Sequence, residues 1–118
     1  MILYLSGPMT AHRDYNREVF MLCENTLVGY GYTVINPARL SIQYPNVDYS
    51  GYIRKDLIDL CSRARGICLV PNPDGLPSRG SLIEQQVAYA IQIPVQSMDY
   101  WIAHRDLYLK ANRKGATP

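Results

Sequence analysis

The chain alternates short apolar runs with longer segments of helical period, and this alternation constrains its fold more than any other feature. Four runs predict strands, at residues 1–6, 33–35, 66–70 and 93–95. Apolar residues recur at three to four positions in four other segments, which predicts helices over about 15–28, 49–64, 81–91 and 99–113. Strands that alternate with helices form βαβ units. We therefore predict an α/β fold with a mainly parallel sheet of four or five strands and helices on both faces.

The length of the chain fits one domain spanning residues 1–118. Its formal net charge of +2 is too small to favour binding to a nucleic-acid polymer. No segment approaches the roughly 18 uninterrupted apolar residues that a membrane helix needs. The N-terminus has no basic start before its apolar run, so it is typical of a strand and not of a secretion signal. We expect no membrane partner, a soluble protein and a cytoplasmic location.

Cysteine and histidine form no spacing that is typical of metal ligands. The three cysteines, Cys23, Cys61 and Cys68, lie on apolar-patterned segments, and the two histidines, His12 and His104, are far apart. Buried free thiols in a reducing compartment explain the cysteines best. The sequence therefore predicts no metal site.

Open parallel sheets bind their ligands beyond the carboxyl ends of the strands. This rule selects three loops, at residues 6–14, 36–48 and 71–81. In the first loop, Ser6, Gly7 and Pro8 form a strand-end turn that suits the close approach of a ligand. We therefore take these three residues as candidate binding residues.

The third loop leads directly into a predicted helix. A strand, a glycine-containing loop and a helix N-terminus in this order make an anion-binding corner, because unpaired N–H groups and the helix dipole point at it. Ser78, Gly80 and Ser81 stand at this corner, where Ser78 offers a hydroxyl donor to a phosphate. The spacing matches neither a Walker loop nor a dinucleotide fingerprint, so ATP and NAD are not expected and no cofactor is predicted.

Glu84 has two interpretations. Ser81-Leu82-Ile83-Glu84 fits a capping box, in which the serine and glutamate side chains bind N–H groups of the first helical turn. Alternatively, the carboxylate faces the cleft beside the anion site and stabilises positive charge that develops on a sugar carbon. On spacing alone, the capping box is favoured.

Asp56 and Tyr4 also have structural alternatives. Asp56 lies about 60° from the middle of the apolar stripe of the second predicted helix. Such a border position is either solvated or reaches the edge of the sheet where the cleft opens. Tyr4 lies in the first strand, where a tyrosine usually packs in the core with its hydroxyl bonded.

Five motifs follow one another along about residues 1–97. They are Tyr4-Leu5-Ser6-Gly7-Pro8-Met9-Thr10, Tyr15-Asn16, Gly31-Tyr32-Thr33-Val34-Ile35-Asn36-Pro37-Ala38, Asp56-Leu57 and Ser78-Arg79-Gly80-Ser81-Leu82-Ile83-Glu84. In this order and spacing they resemble the nucleoside 2-deoxyribosyltransferase superfamily, and most closely its DUF4406 branch of small phage and bacterial proteins. The resemblance implies a flavodoxin-like, Rossmann-type three-layer sandwich that forms a homodimer or a larger homo-oligomer.

Members of this superfamily break the bond between a base and a ribose or deoxyribose. The resemblance implies that Glu84 is the catalytic glutamate, that Asp56 handles the base and that Tyr4 is the active-site tyrosine. Ser78 falls where the monophosphate hydrolases carry a phosphate-binding serine, whereas the nucleoside transferases tend to have an aspartate. The implied reaction is hydrolysis of a nucleoside or deoxynucleoside 5'-monophosphate to free base and sugar phosphate.

Other functions stay open at this point. A transferase would act on free nucleosides and pass the sugar to a second base. A nucleotide-binding module would bind the same small molecules without turnover. The phosphoribohydrolase family ranks lower, because its Pro-Gly-Gly-x-Gly-Thr stretch is absent from this chain.

Overall fold

The structure, a computed structural model, describes residues 1–9, 16–39, 48–73, 75 and 78–109. Its strands are β1 (Ile2–Ser6), β2 (Thr33–Ile35), β3 (Gly66–Leu69) and β4 (Val95–Ser97). Its helices are α1 (Arg17–Gly29), α2 (Tyr49–Arg63), α3 (Arg79–Ala90) and α4 (Met98–Ala103), with a 3₁₀ helix at Pro37–Arg39. Residues 105–109 are also helical. The predicted alternation of strands and helices is confirmed.

The strands form one parallel sheet in the order β2-β1-β3-β4. β1 lies at its centre, with Leu3 opposite Val34 of β2 and opposite Gly66 of β3. Because every pair is parallel, the carboxyl ends of all four strands meet at one edge of the sheet. The predicted α/β class, with a parallel sheet of four or five strands in a flavodoxin-like three-layer fold, is confirmed.

Two apolar cores lie on opposite faces of the sheet. On one face, Leu3 packs in a cluster that includes Trp101 of α4 and residues of α1. On the other face, Tyr4 packs with Leu60 of α2 and Ala88 of α3. Successive side chains of a strand point to opposite faces. Every second residue of β1, beginning with Ile2, therefore faces α2 and α3.

Two element boundaries differ from the prediction for local reasons. α3 begins at Arg79 and not at residue 81, because the Ser78 side chain caps the helix. β4 begins at Val95 and not at residue 93. Pro94 has no N–H to donate to a neighbouring strand, although its carbonyl accepts a hydrogen bond from Ile67 N.

The buried face of α3 coincides only in part with the predicted apolar stripe, of which Val87 packs partly buried against the core. That stripe consists of Ile83, Val87, Ala90 and Ile91. The buried residues of the helix are instead Ser81, Glu84 and Ala88, and Ala90 and Ile91 are exposed. The helix thus presents a polar face to the sheet, which periodicity of apolar residues does not detect.

The prediction that the cysteines are buried is right for Cys23 and Cys68 and wrong for Cys61, whose thiol is exposed on α2. His12, the loop at residues 40–47 and the predicted helical residues 110–113 lie outside the described part of the chain. Within the described residues, no helix has the length and apolar character needed to cross a membrane.

The contact between Gly66 and Trp101 fixes α4 against the sheet. Trp101 is fully buried, and its indole N–H donates to Ile67 O at 2.9 Å. A Cβ added at Gly66 would lie 2.8 Å from two ring carbons of Trp101 and 3.2 Å from Leu3 Cδ2. Since neither the ring nor the strand can move freely, only glycine fits at the start of β3.

We predict that Gly66→Ala destabilises the protein. Forcing a methyl group into a packed core costs about 1–3 kcal/mol. The expected result is a lower midpoint in urea denaturation with an unchanged slope. Gly29→Ala is the matched control, because a Cβ there meets no atom within 4 Å, and it should leave stability unchanged or raise it by up to about 1 kcal/mol. Equal midpoints for the two variants would contradict the packing argument.

Candidate active site

Glu84 lies in the second turn of α3 and is only 5% exposed. The helix is capped by Ser78, whose Oγ accepts a hydrogen bond from Ser81 N at 3.2 Å. Ser81 is therefore a residue of the first turn and not the cap. The capping-box interpretation of Ser81 and Glu84 is wrong, since the glutamate side chain turns towards β1 and not towards the first backbone N–H groups.

Both carboxyl oxygens of Glu84 accept hydrogen bonds from β1. Tyr4 Oη donates to Oε2 at 2.6 Å, and Ser6 Oγ donates to Oε1 at 2.8 Å. Tyr4 and Ser6 are two residues apart, so both side chains point to the face of the sheet that α3 covers. These two donors fix the orientation of a carboxyl group that is almost removed from solvent.

Burial shifts the ionisation of this carboxyl. Loss of solvation raises the pKa of Glu84 to about 7, and the hydrogen bonds from Tyr4 and Ser6 oppose that rise. The pKa of Tyr4 is raised well above its usual value, first by burial and then by the charge of Glu84. Tyr4 therefore stays protonated and acts as a donor to the carboxylate.

Asp56, on α2, supplies a second perturbed carboxyl at the same place. Burial, followed by the charges of Glu84 and Asp59, raises the pKa of Asp56 to about 8, while the Tyr4 hydroxyl lowers it. Its Oδ1 is buried and accepts no hydrogen bond. Of the two alternatives for Asp56, the structure supports the one in which it reaches inwards from the border of α2.

A cavity of about 280 Å³ opens at the carboxyl ends of β1 and β3 beside the N-terminus of α3. Its lining includes five of the six predicted binding residues, namely Ser6, Gly7, Pro8, Ser78 and Ser81. Gly80 lies in the first turn of α3 but does not line the cavity. Asn72, Leu82 and Gln85 also contribute to the wall and were missed by sequence reasoning.

Packing requires glycine at position 7. A Cβ at Gly7 would lie 2.7 Å from Val70 Cβ, so the turn after β1 passes directly over the end of β3. The Gly7 carbonyl also accepts a hydrogen bond from Ser78 Oγ at 3.3 Å. Gly7 therefore joins the turn after β1 to the cap of α3, which together form one wall of the cavity.

The hydrogen bond from Tyr4 to Glu84 fits the expected role of Tyr4 as the active-site tyrosine, but sequence reasoning missed the one from Ser6. Ser6 was selected for its place in a turn, yet its hydroxyl is buried and bonds Glu84 and Ser81. The available signal is the two-residue period of β1, which puts Ser6 on the same face as Tyr4.

Within the described residues, no group of three His, Cys, Asp or Glu side chains could hold a metal ion.

The fold and the site define a flavodoxin-like α/β protein with two buried carboxyl groups beside a cavity at the carboxyl edge of its sheet. A family model described as "Domain of unknown function (DUF4406)" matches residues 1–97. The chain belongs to this family. No curated protein matches the chain.

We predict that the free energy of unfolding falls as the pH rises from about 5 to 8.5. A carboxyl whose pKa is higher in the folded state than in the unfolded state favours folding while it is protonated. The contribution of Glu84 to stability is therefore full below pH 4.5 and is lost as the pH passes about 7. The contribution of Asp56 to stability is lost in the same way, as the pH rises from 3.8 to about 8. Glu84→Gln and Asp56→Asn should each flatten the decline, by at most about 1.4 kcal/mol per pH unit.

Urea denaturation across this pH range checks the prediction, with Glu24→Gln as the control. The Arg39 guanidinium lowers the pKa of Glu24, so the contribution of Glu24 is lost only when the pH falls into the acid range. The control should therefore keep the full decline between pH 5 and 8.5. A decline that Glu84→Gln and Asp56→Asn leave intact would show that these carboxyls titrate as exposed groups.

Proposed function

We propose that the protein hydrolyses the N-glycosidic bond of a nucleoside or deoxynucleoside 5'-monophosphate, with Glu84 as the nucleophile. The observation that carries the proposal is the buried Glu84 carboxyl, held by Tyr4 and Ser6 with a second carboxyl nearby. A nucleotide substrate and free thiols also favour a cytoplasmic location.

The two carboxyls have the protonation states that such a reaction needs. The pKa of Glu84 is about 7 and that of Asp56 is about 8. The hydrogen bonds from Tyr4 and Ser6 favour the ionised form of Glu84, and the charge of ionised Glu84 raises the pKa of Asp56, so Asp56 is the group that keeps its proton. Pairs of carboxyls with separated pKa values are typical of sites where one group attacks and the other donates a proton.

In the proposed reaction, Glu84 attacks the anomeric carbon as the bond from that carbon to the base nitrogen breaks. Positive charge on the sugar is stabilised by the carboxylate. Asp56 gives its proton to the departing base, and the sugar phosphate is left as an ester of Glu84. Water then attacks the anomeric carbon, and ionised Asp56 takes the proton of the water. Glu84 is released as the carboxylate.

The cavity beside Glu84 supports an anionic substrate. The N–H groups of Arg79 and Gly80, the first two residues of α3, have no carbonyl partner within the helix, and the helix dipole favours a negative charge there. Ser78 and Ser81 line the cavity next to this helix N-terminus. The resemblance to monophosphate hydrolases at Ser78 agrees with a phosphate at this corner.

We predict that Glu84→Gln lowers turnover by about 10³-fold or more, because an amide cannot attack the anomeric carbon. The assay incubates purified protein with a panel of nucleosides and monophosphates and detects free base by chromatography. Added second bases reveal a transferase if a new nucleoside forms. Tight binding with complete recovery of every nucleotide would make the protein a binding module and end the hydrolase proposal.

The pH profile gives a second prediction. Activity should rise as Glu84 loses its proton near pH 7 and fall as Asp56 loses its proton near pH 8. The expected kcat/KM curve is a narrow bell, and Asp56→Asn should lower its height and remove its alkaline limb. An alkaline limb that survives in Asp56→Asn would assign the acid to another group.

Ser78→Asp tests the phosphate corner. Aspartate caps a helix as well as serine does but cannot donate to Gly7 O as Ser78 does, so urea denaturation first checks that the variant is folded. Like charges should then lower kcat/KM for monophosphates by about tenfold or more. The kcat/KM for nucleosides should fall much less. Ser62→Asp is the control, since Ser62 lies exposed near the C-terminal end of α2, at the opposite edge of the sheet. Equal losses for both substrate types would contradict the phosphate assignment.

A further inference from the structure

A chain of hydrogen bonds extends from Glu84 to the edge of the cavity. Ser6 Oγ lies 2.8 Å from Glu84 Oε1 and 2.7 Å from Ser81 Oγ. Gln85 Nε2 lies 3.1 Å from Ser81 Oγ. Ser6 and Ser81 are 1% and 6% exposed, so bulk water does not replace these partners.

Counting protons fixes the direction of this chain when Glu84 is ionised. The carboxylate only accepts, so the single Ser6 proton points to Glu84. The proton between Ser6 and Ser81 must then come from Ser81. Since Ser81 has no second proton, its contact with Gln85 requires that the amide nitrogen donates. The direction is Gln85 to Ser81 to Ser6 to Glu84.

We propose that Ser81 and Gln85 are positioning residues, which orient the Ser6 hydroxyl so that it donates to Glu84 and stabilises the ionised carboxylate. Neither residue needs to touch the substrate for this role. The consequence for turnover rests on the proposed function, whereas the chain of hydrogen bonds stands without it.

The helical geometry of α3 explains why these residues act together. Residues 81, 84, 85 and 88 recur at three or four positions and share one face of the helix. Ser81 can thus reach both Ser6 on β1 and Gln85 one turn later. Each donor polarises the next hydroxyl and strengthens its hydrogen bond by about 10–30%, so an incoming bond at Ser81 strengthens the final bond to Glu84.

Other groups also act on the Glu84 carboxyl. Tyr4 donates to its second oxygen, Asp56 on α2 interacts with Glu84 through its charge, and Asp59 acts on Asp56 in turn. The Ser6 hydrogen bond lowers the pKa of Glu84 against the effect of burial. Weakening the chain at Ser81 should therefore raise that pKa, while the contributions of Tyr4, Asp56 and Asp59 stay the same.

The test measures the pKa of Glu84 directly, by ¹³C NMR of the carboxyl in the full chain without any substrate. Ser81→Ala should raise the pKa by roughly 0.5–1 unit, and Gln85→Ala should raise it by less, because Gln85 lies one bond further away. Ser81→Thr keeps the hydroxyl and should restore the original value. Gln86→Ala is the matched control, since Gln86 is an exposed neighbour on the same helix.

A double-mutant cycle separates the chain from a general effect on packing. In a Ser6→Ala background the chain is already cut, so adding Ser81→Ala should leave the pKa of Glu84 unchanged. A shift of the same size in both backgrounds, or no shift in Ser81→Ala alone, would overturn the proposal.

Kinetics connects this result to the proposed function. If the protein is a glycosidase, the acid limb of kcat/KM should move to higher pH in Ser81→Ala by the same amount as the measured pKa. If the protein has no glycosidase activity but Ser81→Ala still shifts the pKa of Glu84, the chain of hydrogen bonds is supported and the proposed reaction is contradicted. If the protein is active but Ser81→Ala leaves the pKa of Glu84 unchanged, the proposed reaction is supported and the role of the chain is contradicted.

Discussion

The hydrogen bond from Tyr4 to Glu84 ties the central strand of the sheet to α3, and the rest of the site depends on it. A buried carboxylate without donors is too costly to retain. Tyr4 and Ser6 supply two donors from one strand, at 2.6 and 2.8 Å. Because these donors are fixed by the strand, the carboxyl has one orientation, and α3 has one position over the sheet.

This arrangement costs stability, and under the proposed function the same burial makes the carboxyls reactive. An apolar residue at position 84 would pack against Tyr4 without the loss of solvation that the carboxyl suffers. The same loss of solvation brings the pKa of Glu84 to about 7 and that of Asp56 to about 8. Two carboxyls that change charge near neutral pH are unusual in a core with only a structural role, and they are common in active sites.

The sequence predicts the fold well because apolar periodicity is a local property of strands and helices. It fails on α3 because the face of that helix that packs on the sheet carries Ser81 and Glu84. A polar face becomes a buried one only through partners on another element, here Tyr4 and Ser6. The spacing of Ser81 and Glu84 even favours the wrong interpretation, a capping box, because the true cap at Ser78 has the same chemistry as Ser81.

The cavity and the Glu84 carboxyl occupy different positions, and under the proposed function this separation bears on the shape of the substrate. Among the described residues, Ser6 and Ser81 line the cavity, whereas Glu84 lies behind them and does not. A ligand that fills only the cavity therefore meets the side chains of Ser6, Ser78 and Ser81 but not the carboxylate. In a nucleoside 5'-monophosphate, the phosphate and the anomeric carbon lie on opposite sides of the ribose. In the proposed reaction, such a ligand would place its phosphate at the N-terminus of α3 and turn its anomeric carbon towards Glu84.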